Sequence, residues 1–321
     1  MHRDFRIFAA ACAVSLSHVA AGHAQTQAAH DTLIDIGARR VHLHCAGVPT
    51  STAPTVLFEA GGGGTATSWQ ATQERLAPHA YSCAYDRAGS GRSDPGPGPR
   101  TLRQQVFELE LLLQGARLSG PFVLVGHSIG GLLVRLYTAQ HPSDVVGVVL
   151  VEPAHESGML GSVSLGRWVR LRELATDRPI PAPRRDGPPS VGYDPAQDFT
   201  AEEFQALYLA RRREPVPLGD RPLIVLGAGV RPPPPGTPDS LWLDLRRERD
   251  EQVRELTGLS RNAKFVLSPT STHDMPADDP DRIAQAVREV LTASRSRVPL
   301  NPHGAKRLRP DTRLKLAAHV D

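Results

Sequence analysis

The feature that most constrains the fold of this chain is a tight turn that joins an apolar strand directly to an apolar helix. The sequence FVLVGHSIG at 122–130 runs into GLLVRL, and Gly126 and Gly130 flank Ser128. Such a turn leaves little room for side chains at the two glycine positions, and it lifts the serine hydroxyl clear of the strand end. Serine between glycines also occurs in ordinary turns, but the flanking strand and helix favour a nucleophile.

Short β-branched runs alternate with longer stretches of helical period along most of the chain. This alternation predicts an α/β fold with a mostly parallel sheet and helices on both faces. Two apolar stripes mark helices: one ends near Gly115, and the other begins at Pro280 with Asp279 as its cap. The eight predicted strands are 32–36, 41–44, 56–59, 82–85, 122–125, 145–151, 223–226 and 264–267.

The alternation breaks at residues 153–221, between the sixth and seventh predicted strands. This segment contains 69 residues and nine prolines, with two patches of helical pattern. Because a plain loop of this length is uncommon in a compact domain, we expect an inserted helical lid. The shorter segment 86–94 is expected to form a structured turn beside the pocket.

A serine hydroxyl is a poor nucleophile without a base, so the turn at Ser128 predicts a histidine elsewhere in the chain. His273 follows the last predicted strand, in a loop positioned to return an imidazole over the sheet. His127 lies inside the turn itself, but its side chain is expected to point away from the hydroxyl and to pack against its surroundings. His273 is therefore the predicted general base.

The negative charge that develops when serine attacks a carbonyl needs preformed hydrogen-bond donors. One predicted donor is the backbone N–H of Ile129, at the start of a helix. The other is expected from the glycine run 61–64 after the third strand, where Gly62 is the favoured donor. A phosphate-binding loop is the competing interpretation, but no Gly-Lys-Ser/Thr follows this run.

The motifs FEAGGGG, YDRAGSGRSD, LVGHSIGG and STHDMP, in that order, resemble those of the α/β-hydrolase family over about residues 31–293. The resemblance implies an eight-stranded sheet of order 1-2-4-3-5-6-7-8, a lid between strands six and seven, and a Ser, acid, His order of catalytic residues. Ser128, Ile129, Gly62 and His273 each fall on the matching family position. The second and fourth strands are neighbours in that order, so the resemblance also makes Cys45 and Cys83 candidates for a disulfide.

The acid is less clear, because the sequence departs from the family at this point. The family usually carries Asp or Glu a few residues after strand seven, but here no carboxylate appears until Asp239. Some relatives carry the acid at the end of strand six, which corresponds to Glu152. We prefer Glu152 as the group that orients His273, with Asp239 as the alternative and Asp244 third. The competing interpretation is that Glu152 only pairs with an arginine of the lid.

The first residues resemble an export signal. Basic residues precede the apolar run 7–21, which ends in small residues, so residues 1–24 are predicted to be a signal peptide that is cleaved after Ala24. The alternatives are a membrane anchor, for which the run is short, and lipoprotein processing at Cys12. Export to the periplasm or the exterior would place Cys45 and Cys83 in an oxidising compartment.

Charge is unevenly distributed along the chain. Residues 294–321 hold seven Lys or Arg against two Asp, whereas the body between leader and tail is mildly acidic. This distribution, with no interleaved basic and aromatic stripe, argues against nucleic-acid binding. The domain is therefore expected to span residues 25–293, followed by a solvated, disordered basic tail at 294–321. Docking of this tail on anionic lipids is a minor alternative.

These observations together predict a serine hydrolase that cleaves an ester or related acyl bond of a small molecule. No cofactor and no metal are expected, because the sequence has neither a Cys/His ligand cluster nor a dinucleotide fingerprint. The mature protein is expected to be a monomer without stable membrane insertion. A non-catalytic ligand-binding protein of the same fold, and an acyltransferase or aminopeptidase with the same triad, remain alternatives.

Overall fold

The protein folds around one eight-stranded sheet, seen in a computed structural model that describes residues 30–97, 100–159, 200–233, 236–296 and 299–300. The strands are β1 (His30–Asp35), β2 (Arg40–Ala46), β3 (Thr55–Glu59), β4 (Ser82–Tyr85), β5 (Phe122–His127), β6 (Val145–Val151), β7 (Leu223–Ala228) and β8 (Ala263–Ser268). The α-helices include α1 (Gln70–Leu76), α2 (Leu102–Gly115), α3 (Gly130–Gln140), α4 (Thr200–Arg213), α5 (Asp239–Glu255), α6 (Met275–Asp278) and α7 (Pro280–Ser296). Each predicted strand agrees with the observed one to within two residues at either end.

The strand order is β1-β2-β4-β3-β5-β6-β7-β8, as the family resemblance implies. The pairs β1–β2 and β2–β4 are antiparallel, and the remaining pairs are parallel. All six residues of β5 and all six of β7 are buried. Parallel strands covered by helices on both faces are apolar along their whole length, which explains why these runs do not alternate. The carboxyl ends of β5 and β6 therefore lie next to each other.

The core is divided by the sheet into two apolar clusters. Leu57 of β3 packs into one cluster with residues of α2 and α3, whereas Val56 and Phe58 pack into the other with residues of α1 and α7. This division follows from the period of two along a strand. At the start of α7, the carboxylate of Asp279 accepts a hydrogen bond of 3.2 Å from the backbone N–H of Arg282, which confirms the predicted cap.

Only the two ends of the predicted lid, residues 153–159 and 200–221, lie within the described residues. Helix α4 precedes β7 and packs on the body, where Phe204 is fully buried. The carboxylate of Glu203 accepts hydrogen bonds from the backbone N–H groups of Leu102 (2.7 Å) and Arg103 (2.8 Å), at the start of α2. Residues 160–199 of the predicted lid lie outside the described residues, as do the leader at 1–24 and residues 301–321 of the tail.

A disulfide joins Cys45 of β2 to Cys83 of β4, as the family resemblance implied. The two residues are direct partners in the β2–β4 register, and their Cα atoms lie 4.1 Å apart. The bond is compatible with an oxidising compartment. In the part of the chain that the structure describes, no helix combines the length and the apolar character needed to cross a membrane.

Removal of this disulfide is expected to destabilise the fold without affecting the proposed catalytic residues. The bond closes a loop with a sequence separation of 38, and the chain-entropy model assigns about 4 kcal/mol to a loop of that size. The double substitution Cys45→Ala and Cys83→Ala should lower Tm by about 10 °C. Dithiothreitol should lower the Tm of the parent by a similar amount and leave the double variant unchanged. Equal Tm values for the two proteins without reductant would contradict this assignment.

Candidate active site

Ser128 lies at the carboxyl end of β5, on a strained turn into α3. Its φ is +52°, a conformation that non-glycine residues rarely adopt. A Cβ atom added to Gly126 would lie 2.5 Å from the carbonyl oxygen of Gly130, and one added to Gly130 would lie 2.6 Å from that of Ala60. Both glycines are therefore required by close backbone packing, as the sequence pattern predicted. The turn places the Ser128 hydroxyl at the carboxyl end of the central strands.

His273 lies directly beside this hydroxyl. It occupies the loop between β8 and α6, and its Nε2 atom is 3.1 Å from Oγ of Ser128. The side chain of His273 is 55% exposed. The loop is fixed by Asp278, whose carboxylate accepts a hydrogen bond of 2.7 Å from the backbone N–H of Thr272. The structure thus brings together the two residues that the sequence analysis paired.

His127 supports the same loop from the opposite side. Burial and the nearby charge of His273 lower the pKa of His127 to about 4, so its ring is neutral at pH 7. Because a carbonyl oxygen can only accept, Nε2 of His127 donates the 2.8 Å hydrogen bond to the backbone oxygen of His273. The ring also packs edge-on against Trp69, with 6.4 Å between the ring centroids. The sequence predicts the packing of His127 but not this hydrogen bond.

The glycine run after β3 lies against the turn that carries Ser128. A Cβ atom added to Gly61 would lie 2.7 Å from Nδ1 of His127 and 3.4 Å from Cβ of Ser128. One added to Gly62 would lie 4.0 Å from Cγ2 of Ile129. Among the described residues, no hydrogen-bond acceptor is found for the N–H of Gly62 or of Ile129. The N–H groups of Gly62 and Ile129 are therefore available as donors near the serine.

Arg87 holds this glycine loop from beneath. Its buried guanidinium donates to the carbonyl oxygens of Ala60, at 2.6 Å, and of Gly61. It also pairs with the buried carboxylate of Glu59, which accepts a second hydrogen bond from the hydroxyl of Tyr85. Because a trans peptide places C=O and N–H on opposite sides, the anchored carbonyl of Gly61 fixes the N–H of the next residue away from Arg87. Within the segment 86–94, Arg87 thus contacts the glycine loop beside Ser128.

Glu152 lies at the carboxyl end of β6, behind His273. It is fully buried, has a φ of +44°, and its Oε2 atom is 3.9 Å from Nδ1 of His273. That distance allows an ion pair but exceeds the length of a hydrogen bond. Burial opposes the charged form of Glu152, but the interactions with His273 and Arg231 and the charge of Arg249 outweigh it and bring its pKa below the ordinary value. The carboxylate is therefore ionised at neutral pH.

The two other candidate acids lie on the outside of α5. Asp239 is the first residue of that helix and is exposed. Asp244 is 68% exposed and forms an ion pair of 2.7 Å with Arg247, one turn further along the helix. Within the described residues, Glu152 is the carboxylate found within 4 Å of His273. The geometry thus favours the preferred candidate over both alternatives.

Arg231 is a site residue that the sequence analysis missed. It contacts both carboxylate oxygens of Glu152, at 2.8 Å from Oε1 and 2.6 Å from Oε2. Glu152 is thus paired with an arginine, as one interpretation of the sequence held, but this arginine follows β7 and is not part of the predicted lid. A signal was available, since Arg231 occupies the region after strand seven where a carboxylate was sought.

Two proteins of similar sequence cover most of the chain. The protein YqjL of Bacillus subtilis is 27% identical over 244 residues, which cover 76% of this chain and 86% of YqjL. An AB hydrolase superfamily protein of Gibberella zeae is 26% identical over 294 residues, which cover 79% of this chain and 91% of that protein.

Solved structures share the fold at lower identity. An enol-lactonase from Burkholderia xenovorans is 19% identical with a TM-score of 0.54, covering 82% of this chain and 100% of its own. A thermophilic esterase from Thermogutta terrifontis is 17% identical with a TM-score of 0.52, covering 84% and 99%. The model of the alpha/beta hydrolase family matches residues 56–286, more than half of the chain. On this match, and on the order of its eight strands, the chain belongs to the alpha/beta hydrolase family.

Proposed function

We propose that the protein is a serine hydrolase that cleaves an ester or related acyl bond of a small molecule. Ser128 is the nucleophile, His273 the general base and Glu152 the acid that orients it. The observation that carries the proposal is the 3.1 Å approach of His273 Nε2 to Ser128 Oγ, on a strained turn beside free backbone donors. An activated serine needs this combination of a base in hydrogen-bond reach and donors for the developing oxyanion.

In the first half of the reaction, Nε2 of His273 takes the proton of Ser128 as Oγ attacks the carbonyl carbon of the substrate. The N–H groups of Ile129 and Gly62 stabilise the negative oxygen of the tetrahedral intermediate. His273 then gives its proton to the leaving alcohol, which departs and leaves an acyl group on Ser128. In the second half, water attacks this ester, His273 takes the water proton, and its return to Oγ releases the acid.

Glu152 stabilises the imidazolium that forms at both steps and holds the ring in the productive tautomer. In the free enzyme its Oε2 atom is 3.9 Å from Nδ1 of His273. Catalytic hydrogen bonds are often long before substrate binds and shorten in the transition state, so this distance is compatible with the role. The ionised state of the buried Glu152 also supports it.

The same groups can transfer an acyl group to an alcohol or act on an amide, because only the acceptor or the leaving group differs. The 3.1 Å contact argues against the non-catalytic binding protein, since a binding site alone does not require a serine within reach of a base. An enol-lactonase and an esterase are among the solved structures that share this fold, and both names fit a serine that attacks an ester or lactone carbonyl.

We also propose export to the periplasm or the exterior, with residues 1–24 removed as a signal peptide. The disulfide between Cys45 and Cys83 supports this location, because such bonds persist in oxidising compartments. Residues 294–296 complete α7, and the N–H of Leu300 donates to Oδ1 of Asn262 at 2.7 Å, so the predicted boundary at 293 falls too early. The basic segment that follows is then an appended segment, without a role in the chemistry proposed here.

A fluorophosphonate probe tests the proposed function. We expect the probe to modify Ser128 and to abolish hydrolysis of p-nitrophenyl esters, which are tested at graded acyl chain length. Peptide mass spectrometry locates the label, and the intact mass reports whether residues 1–24 are absent from the exported protein. A folded protein that neither reacts with the probe nor hydrolyses any ester of the series would support the binding-protein alternative.

A further inference from the structure

The carboxylate of the proposed acid is engaged more closely by an arginine than by the histidine it is thought to serve. Both terminal nitrogens of Arg231 reach Glu152, with Nη1 2.6 Å from Oε2 and Nη2 2.8 Å from Oε1. The same Oε2 atom is 3.9 Å from Nδ1 of His273. The contact to Oε1 is a hydrogen bond, whereas the contact to Oε2 is a close ion pair without hydrogen-bond geometry, since no hydrogen-bond partner of Oε2 is found among the described residues.

Arg231 is itself held in place from α5. Its Nε atom donates to Oδ1 of Asp250 at 3.1 Å, and its side chain is 10% exposed. Arg249, on the same helix, donates to the backbone oxygens of Glu152 (3.1 Å) and Pro153 (2.7 Å). A side chain fixed by a partner at each end of its guanidinium has little freedom to leave the carboxylate.

The charged and titratable groups that face this carboxylate can be named element by element. Arg231 comes from the loop after β7, and Arg249 and Asp250 come from α5. His273 and Asp274 come from the loop after β8, and His127 from β5 lies against His273. Arg249 approaches Oε1 of Glu152 only to 3.7 Å. Arg231 is therefore the cation in closest contact with the proposed acid.

This arrangement has a consequence for the strength of the base. A carboxylate favours the protonated imidazole beside it by its negative charge, and a cation bound to the same carboxylate weakens that effect. Arg231 therefore reduces the stabilisation that Glu152 gives to the protonated form of His273. An imidazole must be unprotonated to accept the serine proton, so the cation extends the working range toward acid.

We propose that Arg231, held by Asp250, is a positioning residue that shares the carboxylate of Glu152 with His273 and thereby sets the pH range in which His273 acts as a base. The proposal rests on the proposed function of Ser128 and His273. It assigns Arg231 no contact with substrate. It also accounts for the ion pair of Arg231 with the partly exposed Asp250, which the reaction itself does not use.

The substitution Arg231→Met tests this proposal through the pH profile of kcat/KM on a p-nitrophenyl ester. Without the guanidinium, Glu152 is free to stabilise protonated His273, so the acidic limb should move to higher pH by about 1 unit. Arg231→Lys keeps the positive charge and should leave the limb within a few tenths of a unit of the parent. The matched control is Arg261→Gln, because Arg261 forms a comparable pair of 2.6 Å with Asp220 on the surface. Its profile should equal that of the parent.

An NMR titration of the histidine ring carbons gives a second measurement that does not depend on turnover. The signal that disappears in His273→Gln identifies His273, and in Arg231→Met it should titrate at higher pH than in the parent. If the parent hydrolyses no ester but this shift is observed, the proposed function fails and the coupling stands. An unshifted His273 signal in folded Arg231→Met, or an equal shift in Arg261→Gln, overturns the proposal. If Arg231→Met does not fold, Arg231→Lys decides instead. An acidic limb of Arg231→Lys at a pH one full unit above that of the parent overturns the proposal.

Discussion

Replacement of Ser128 by alanine is expected to lower kcat on p-nitrophenyl esters by about 10⁵-fold. Without Oγ there is no nucleophile for the acyl-enzyme, and only the backbone donors remain to assist attack by water. The fold should be unaffected, because alanine and serine have the same Cβ atom and adopt the positive φ at this turn equally well. Steady-state kinetics measure the loss, and an unchanged Tm shows that the variant is folded.

His273→Ala should cost about as much as Ser128→Ala, and the double variant should lose no more than either single one. Residues that act as a unit behave in this way, because a nucleophile without a base contributes little. If Ser128 and His273 acted independently, the losses in kcat of the two single variants would multiply in the double variant. A double variant much slower than both single variants would therefore contradict the proposed pairing of Nε2 with Oγ at 3.1 Å.

Ser157 offers a matched control for both variants. Its hydroxyl lies 2.5 Å from Nδ1 of His155, so the chain contains a second serine and histidine in hydrogen-bond contact. This pair is formed between residues two positions apart, and Ser157 does not lie on a strand-to-helix turn between glycines. Ser157→Ala should therefore leave kcat unchanged within twofold. A loss comparable with that of Ser128→Ala would mean that the wrong serine has been assigned.

Much of the fold follows from patterns that are local in the sequence. The β-branched runs of β5 and β6 predict buried parallel strands because both faces of such strands are covered. The turn at Ser128 is equally local, since close packing of the backbone forces glycine at 126 and 130. The pairing of Cys45 with Cys83 depended on the family resemblance, because only the strand order places β2 next to β4.

The contacts behind His273 could not be predicted from local sequence patterns, because they depend on the conformation of the loops that follow the strands. After β7 the chain stays beside the loop that follows β8, since the N–H of Gly229 donates to Ser268 O at 2.7 Å and that of Val230 to Ser271 O at 2.9 Å. This path carries Arg231 toward Glu152. The sequence shows that Arg231 lies in this loop, but it does not show the loop conformation that these hydrogen bonds fix. The hydrogen bond from His127, at the end of β5, to His273 depends on the course of the loop after β8 for the same reason.

Substitution of Glu152 by glutamine tests the preferred acid against Asp239, the first alternative. A carboxamide at this position can donate to Nδ1 of His273 and so favour the wrong tautomer, and it no longer stabilises the imidazolium. We expect kcat to fall by about 10³- to 10⁴-fold, as for the loss of the acid in other triads. Asp239→Asn changes an exposed residue at the start of α5 and should leave kcat within twofold of the parent.

The stability of Glu152→Gln has to be measured alongside its activity, because the substitution also leaves the buried Arg231 without its closest anion. Removal of one partner of a buried ion pair destabilises a protein by about 3 to 5 kcal/mol. Arg231 keeps its ion pair with Asp250, so a smaller loss of stability and a lower Tm are expected. To exclude loss of folded protein as the cause of a lower kcat, kcat is calculated per active site. The active sites are counted with the fluorophosphonate probe, at a temperature below the unfolding transition. If Asp239→Asn abolishes turnover under these conditions and Glu152→Gln does not, the acid is Asp239, and the contact between Glu152 and Arg231 serves only to hold the end of β6.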